Sequence, residues 1–200
     1  MSRDSTSPAA VGHEAFAAPL LAGCLGRLEA GERLEVLDLG PPRAANVAHL
    51  SRYRCRLGIA DALAELPALA GGDAASAAPE IEAILPASLF AGAQLVLCWD
   101  VLEYLPEQGI RMLGNHLRDL ARPGTELHAL VAYGTSRVAT HPTGYELVAE
   151  GVRPAPAGAD DPGRTPRRIS SGELQRLLPD WQLERSVLLR NGLQEYLFHT

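Results

Sequence analysis

Residues 34–61 read Leu-Glu-Val-Leu-Asp-Leu-Gly-Pro-Pro-Arg-Ala-Ala-Asn-Val-Ala-His-Leu-Ser-Arg-Tyr-Arg-Cys-Arg-Leu-Gly-Ile-Ala-Asp. A short apolar run, Leu34 to Leu39, ends at Gly40. A helical pattern follows from Arg43 to Tyr53, with Pro41 and Pro42 tolerable just before it or in its first turn. A second short run, Cys55 to Ala60, ends in an acid, Asp61. Strand, glycine turn, helix, strand, acid is the order in which open α/β sheets hold a nucleotide-type ligand. The turn and helix N-terminus receive the polar end of such a ligand, and the acid accepts from a ribose. The turn here has one glycine where two or three are expected.

The pattern repeats outward. His13 to Ala30 carries apolar residues at helical spacing and predicts a leading helix. Asp61 to Ala70 reads as a short helix or turn, and residues 71–80 are Gly/Ala/Ser-rich and undecided. A third strand is expected near Ile81 to Leu85. Gln94 to Trp99 is a strongly apolar fourth strand, Glu107 to Leu120 a helix stopped by Pro123-Gly124, and Thr125 to Ala132 a fifth strand. Residues 134–168 are irregular and rich in Gly, Pro and Arg, the composition of a lid or of disorder. Ser170 or Ser171 caps a helix through Leu178. Asn191-Gly192 between two apolar runs, Gln182 to Arg190 and Leu193 to Phe198, is a strong hairpin signal. The alternation argues for a mostly parallel sheet with helices on both faces. Residues 1–11 read as a disordered N-terminus and residues 12–200 as a single domain, with the irregular insertion at 134–168.

Composition sets bounds. Two hundred residues with 46% hydrophobic content build one core. All 18 lysine-plus-arginine positions are arginine, which removes Schiff-base and P-loop lysine chemistry. A net charge of −6 argues against a nucleic-acid partner. The cluster Arg164, Arg167, Arg168 reads as a solvated loop. Cys24, Cys55 and Cys98 lack metal-ligand spacing, and the latter two read as small core residues. His116 and His128 have no partner at ligand spacing, so no metal is expected. The N-terminus lacks signal-peptide order and no stretch is long enough to span a bilayer, so a cytoplasmic protein without a membrane anchor is expected.

These residues resemble the class I S-adenosylmethionine-dependent methyltransferases. Val36-Leu37-Asp38-Leu39-Gly40 resembles their first motif. Asp61, 21 residues after Gly40, resembles the acid that bonds the cofactor ribose. Leu95 to Leu105, reading Leu-Val-Leu-Cys-Trp-Asp-Val-Leu-Glu-Tyr-Leu, resembles the fourth-strand motif, with Tyr104 where the family has histidine. Leu188 to Phe198 fits the terminal hairpin, whose last strand runs antiparallel. The resemblance covers roughly residues 13–200. It implies a seven-stranded Rossmann-like sheet with a C-terminal antiparallel hairpin, S-adenosylmethionine as cofactor, and methyl transfer to a small-molecule acceptor. It also implies cofactor contacts from Asp38, Gly40 and Asp61, and from Cys98, Trp99 and Asp100 at the end of the fourth strand.

The residues leave alternatives open. Pro42 and Ala44 stand where the family has its second and third glycines. Proline donates no N–H and fixes φ, whereas glycine permits close backbone approach to a ligand. Asp38 either meets the cofactor or fixes the turn. Asp61 is either the ribose acceptor or a helix cap. Asp100 either positions a substrate or caps the turn into Val101–Leu105, and Glu103 and Tyr104 read as packing groups. Arg137, His141 and Tyr145 would read a substrate if the insertion is a lid. A methyltransferase-like protein without catalysis, working as a binding or regulatory module with a protein partner, is the alternative function. A nicotinamide-dependent oxidoreductase is a third and meets the same missing glycines.

Overall fold

The structure is a computed structural model that describes residues 14–67, 74–90, 92–158 and 160–200. The segment 1–11, read above as disordered, lies outside the described residues.

Chain order begins with α1 (Pro19–Glu29), β1 (Leu34–Asp38), α2 (Ala44–Leu50) and β2 (Cys55–Ile59). Then come α3 (Ala74–Ile84), α4 (Ala87–Phe90), β3 (Leu95–Trp99), α5 (Val101–Tyr104), α6 (Glu107–Leu120) and β4 (Glu126–Ala132). The chain continues through β5 (Tyr145–Val148), β6 (Gly151–Pro154), α7 (Ser171–Leu177), β7 (Gln182–Leu188) and β8 (Leu193–His199). The main sheet runs β2-β1-β3-β4-β8-β7. Its first four strands are parallel, and β8 lies antiparallel between β4 and β7. This is the mostly parallel, doubly wound sheet with an inserted antiparallel strand that the resemblance implied. After β2 the chain crosses back over β1 to form β3, so the topological switch point lies between the carboxyl ends of β1 and β3.

Central strands need apolar residues on both faces, and β3 supplies them: all five of its residues are buried. On β8 the period-2 alternation shows which layer covers which face. Glu195 reaches the backbone of α1, and its neighbour Tyr196 reaches Ser171 at the start of α7, on the opposite face. The α1 contact compensates for a missing cap. Ala18 at the N-cap has no side-chain acceptor, and Pro19 at the first position needs none. The Glu195 carboxylate accepts from Leu20 N at 3.1 Å and Leu21 N at 2.8 Å, and pairs with His128 Nε2 at 2.9 Å. All of this is buried, and a carboxylate suits the positive end of a helix.

Several local expectations hold. The helix over 107–120 is present, Ser170 caps α7 by accepting from Glu173 N, and Asn191-Gly192 turns β7 into β8 with Gly192 at φ +84°. Others are corrected. The strand expected near Ile81 to Leu85 is instead the end of α3, so the main sheet has six strands among the described residues, not seven. Ile81 and Leu85 are buried and Ile84 packs beside them, and spacings of three and four are helical. The leading helix begins at Pro19, not His13, because Phe16 is held extended by a bridge to Val152.

The insertion is also corrected. It contains the hairpin β5–β6, bridged further by Val138 to Arg164. Its buried residues alternate, Tyr145 and Leu147 on β5 and Val152 and Pro154 on β6, a pattern diluted in the sequence by glycine and proline.

Removing the Glu195 carboxylate leaves two buried helix N–H groups and His128 without their acceptor. Glu195→Ala should therefore lower stability by at least about 3 kcal/mol in urea unfolding, against a change within about 0.5 kcal/mol for exposed Glu184→Ala.

Candidate functional site

The crevice between the ends of β1 and β3 is where a doubly wound sheet binds its ligand. Here the chain's own side chains fill it. Asp38 is 1% exposed, and both of its oxygens are taken. Oδ1 accepts from Gly40 N at 2.8 Å and from Trp99 Nε1 at 2.5 Å, and Oδ2 accepts from Asn46 Nδ2 at 3.1 Å. Burial pushes the Asp38 carboxyl above the usual range, and these three hydrogen bonds oppose the rise. Asp38 thus fixes the turn by accepting from the turn itself, from α2 and from the end of β3.

Trp99 adopts a positive φ of +50°, an unusual conformation for a large side chain. That backbone turn keeps the indole in the crevice, fully buried. It stacks on Tyr145 of β5 at 5.5 Å between ring centroids. Asn46, on α2, extends the same lock: it donates to Tyr145 O at 3.1 Å and accepts from Leu147 N at 2.7 Å. Arg43 donates to Thr143 O at 2.8 Å. Hairpin β5–β6 is thereby bound down on the first turn of α2.

The resemblance implies S-adenosylmethionine, whose methionine end would need the Gly40 turn. As folded, that turn is closely packed. A Cβ on Gly40 would already meet Asp38 Oδ1 at 2.9 Å and Trp99 Nε1 at 3.0 Å. Pro41 and Pro42 contribute no N–H donors, and Pro41 packs under Gly144 of the insertion.

The other expected residues are scattered. Asp61 is exposed at the end of β2 with φ +51°. No α-helix starts there among the described residues; a turn over Leu63 to Glu65 leads into a 3-10 turn at Leu66 and Pro67, whose first accepting carbonyl is that of Ala62, and Ala68 to Ala70 lie outside the described residues. Cys98 is a fully buried core residue, its thiol pushed up by burial. Asp100 makes no side-chain cap to α5, which removes the capping alternative.

Asp100 instead lines a cavity of about 310 Å³ between the strand ends and the insertion. Glu103, Tyr104, Arg137, Tyr145 and Asp161 share its wall. Burial pushes the Asp100 carboxyl up to about 7, nearby Glu103 adds to the rise, and the Tyr145 hydroxyl and Arg164 oppose it. Glu103 is raised as well, chiefly by burial. Of the expected cofactor residues, Asp38, Gly40 and Trp99 come together in the lock, and Asp100 faces the cavity alone.

Sequence reasoning missed Asn46 and misjudged the arginine cluster. Arg168 is exposed, as expected, but Arg164 and Arg167 are half-buried and engaged. Arg164 donates to Glu103 O at 2.9 Å and lies 4.5 Å over the Tyr104 ring. Arg167 donates its backbone N–H to Glu103 Oε1 at 2.7 Å and its guanidinium to Leu105 O at 2.9 Å. The pair clamps α5 against the insertion, and no local pattern in the sequence marks it, because Glu103 and the two arginines are more than sixty residues apart. His116 Nε2 pairs with Leu85 O and His128 Nε2 with Glu195, while His128 Nδ1 is buried without a partner among the described residues, and no metal-holding cluster exists among the described residues.

No protein-family model matches the chain, and no curated protein matches it in sequence. Solved structures match at low identity. The pyocyanin biosynthetic protein PhzM is 12% identical over 88% of this chain and 52% of its own, with a TM-score of 0.47. The chain thus spans about half the length of PhzM. Magnesium protoporphyrin IX methyltransferase ChlM from Synechocystis PCC 6803, solved with bound SAM, is 14% identical over 90% of this chain and 77% of its own, with a TM-score of 0.47. N-methyltransferase NodS from Bradyrhizobium japonicum WM9, in complex with S-adenosyl-l-homocysteine, is 14% identical over 90% of this chain and 86% of its own, with a TM-score of 0.45.

The three raised carboxyls give stability a definite pH sign. Asp38, Asp100 and Glu103 hold their protons more tightly folded than unfolded. Their contribution is complete below the unfolded carboxylate range and is lost as pH rises through the folded values, about 7 for Asp100. Unfolding free energy should fall between about pH 4 and pH 7, and Asp100→Asn should flatten part of that fall in urea titrations at successive pH values.

Proposed function

We propose that the chain is a methyltransferase-fold protein that binds a small molecule in the Asp100 cavity, with its methyl-donor position sealed by its own Trp99. The supporting observation is the hydrogen bond from Trp99 Nε1 to Asp38 at 2.5 Å, in the crevice that the donor would occupy. A buried indole that is hydrogen-bonded and stacked on Tyr145 is a stable plug. Truncating such a residue costs about 3–5 kcal/mol, so a ligand that displaces it must offset a comparable loss of packing. In this reading the protein is a single domain with a folded insertion, acting in the cytosol. The three free cysteines support that compartment, and no helix among the described residues is long and apolar enough to cross a membrane.

A second reading, S-adenosylmethionine-dependent methyl transfer to a small acceptor, is favoured by Asp61. It is exposed at the end of β2, where the resemblance puts the ribose acceptor. Cofactor binding in this reading requires Trp99 to leave Asp38. Chemically such a protein needs only to align the acceptor and exclude water, because the methyl group arrives activated.

Calorimetric titration with S-adenosylmethionine and S-adenosylhomocysteine separates the two. The sealed crevice predicts no binding of either by the wild-type protein at concentrations up to about millimolar, an interaction weaker than about 4 kcal/mol. Micromolar binding would overturn the sealed reading and establish the second.

A further inference from the structure

We infer that the Asp100 cavity recognises a small organic cation, an amine or amidine. The inference rests on the reading of that cavity as a small-molecule site and names the ligand's chemistry. A volume of about 310 Å³ is at the lower end of the range for such sites.

The wall divides into groups already satisfied and groups that are not. Arg137 directs one guanidinium nitrogen, Nη2, at the carbonyl oxygens of Pro162 and Gly163. Arg164 spends its own on Glu103 O and the Tyr104 ring. Asp161 accepts from Thr140 N, Thr140 Oγ1 and Gly163 N, which hold its carboxyl below the usual range. None of these needs a ligand.

Asp100 differs. It is 9% exposed, it lines the cavity, and its Oδ1 has no hydrogen-bond partner among the described residues. Glu103, 3% exposed on the same wall, keeps Oε2 without a partner among the described residues. Both unmet atoms are acceptors. A buried acceptor left alone is unfavourable, and a charged donor is the partner that compensates most. An anion would face two carboxyls with the nearby arginines already engaged.

The test uses the whole protein at pH 8, above the Asp100 value of about 7, so that this carboxyl is ionised. Three probes of similar skeleton differ in charge: 2-phenylethylamine, 2-phenylethanol and phenylacetate. The amine is expected to bind at least about ten-fold more tightly than either other probe by calorimetry, the scale of one charge-assisted hydrogen bond. Asp100→Asn should remove that preference, bringing the amine and the alcohol to within about two-fold of each other. Should that variant fail to fold by circular dichroism, Glu103→Gln carries the same test, since its amide oxygen still accepts from Arg167 N. Equal binding of the amine and the alcohol, or tighter binding of phenylacetate, would overturn the cation while leaving the small-molecule site standing. Absence of binding by all three would count against both.

Discussion

The Asp38 carboxylate is the constraint on which the rest of the site depends. It sits at the end of a buried strand, where an ionisable group must be satisfied on every side or shift its proton affinity. Three donors meet it, from the Gly40 turn, from α2 through Asn46, and from β3 through Trp99. Each donor belongs to a different element. One carboxylate therefore sets the turn, the seating of α2 and the direction of the Trp99 indole. Asn46 then passes the constraint on to β5. Strand, helix and insertion are tied in one buried polar network, and such networks rigidify when every member is satisfied.

This network explains why proline is compatible with the turn. A turn that must offer N–H groups to a ligand has no place for Pro41 and Pro42. A turn whose one needed N–H belongs to Gly40, and whose contact with the insertion is apolar, does. Pro41 packs beneath Gly144, and the rings that would obstruct a ligand serve as a floor for the hairpin. The Arg164 and Arg167 clamp on Glu103 does the same on the other side of the cavity. The insertion, which carries both the hairpin and the arginines, is a wall of the site and a structural part of the domain.

Elements with strong local signals were legible. The helix over 107–120 has a continuous amphipathic period, and the Asn191-Gly192 hairpin carries its own turn chemistry. The end of α3 was misread because four or five apolar residues fit either period, and only their packing on α6 distinguishes them. The hairpin β5–β6 was hidden because its strands are four residues each and their stabilising partners lie far away in sequence. Of the candidate site, the right strand ends were found, since Asp38, Trp99 and Asp100 all lie at the switch point. Their mutual contacts were not, because the meeting of Asp38 with the indole depends on the backbone conformation of Trp99.

The sequence by itself determined the alternating α/β order, the antiparallel closing hairpin, and the glycine-poor turn after the first strand. These are local properties, written in periodicity and in the conformational limits of glycine and proline. Only the tertiary structure decided that the crevice is filled from within. The decisive contacts join Asp38 to Trp99 across 61 residues and Asn46 to Leu147 across 101 residues. A hydrogen bond between such distant groups has no local pattern. It exists because folding brings a buried acceptor and a buried donor together where neither has another partner.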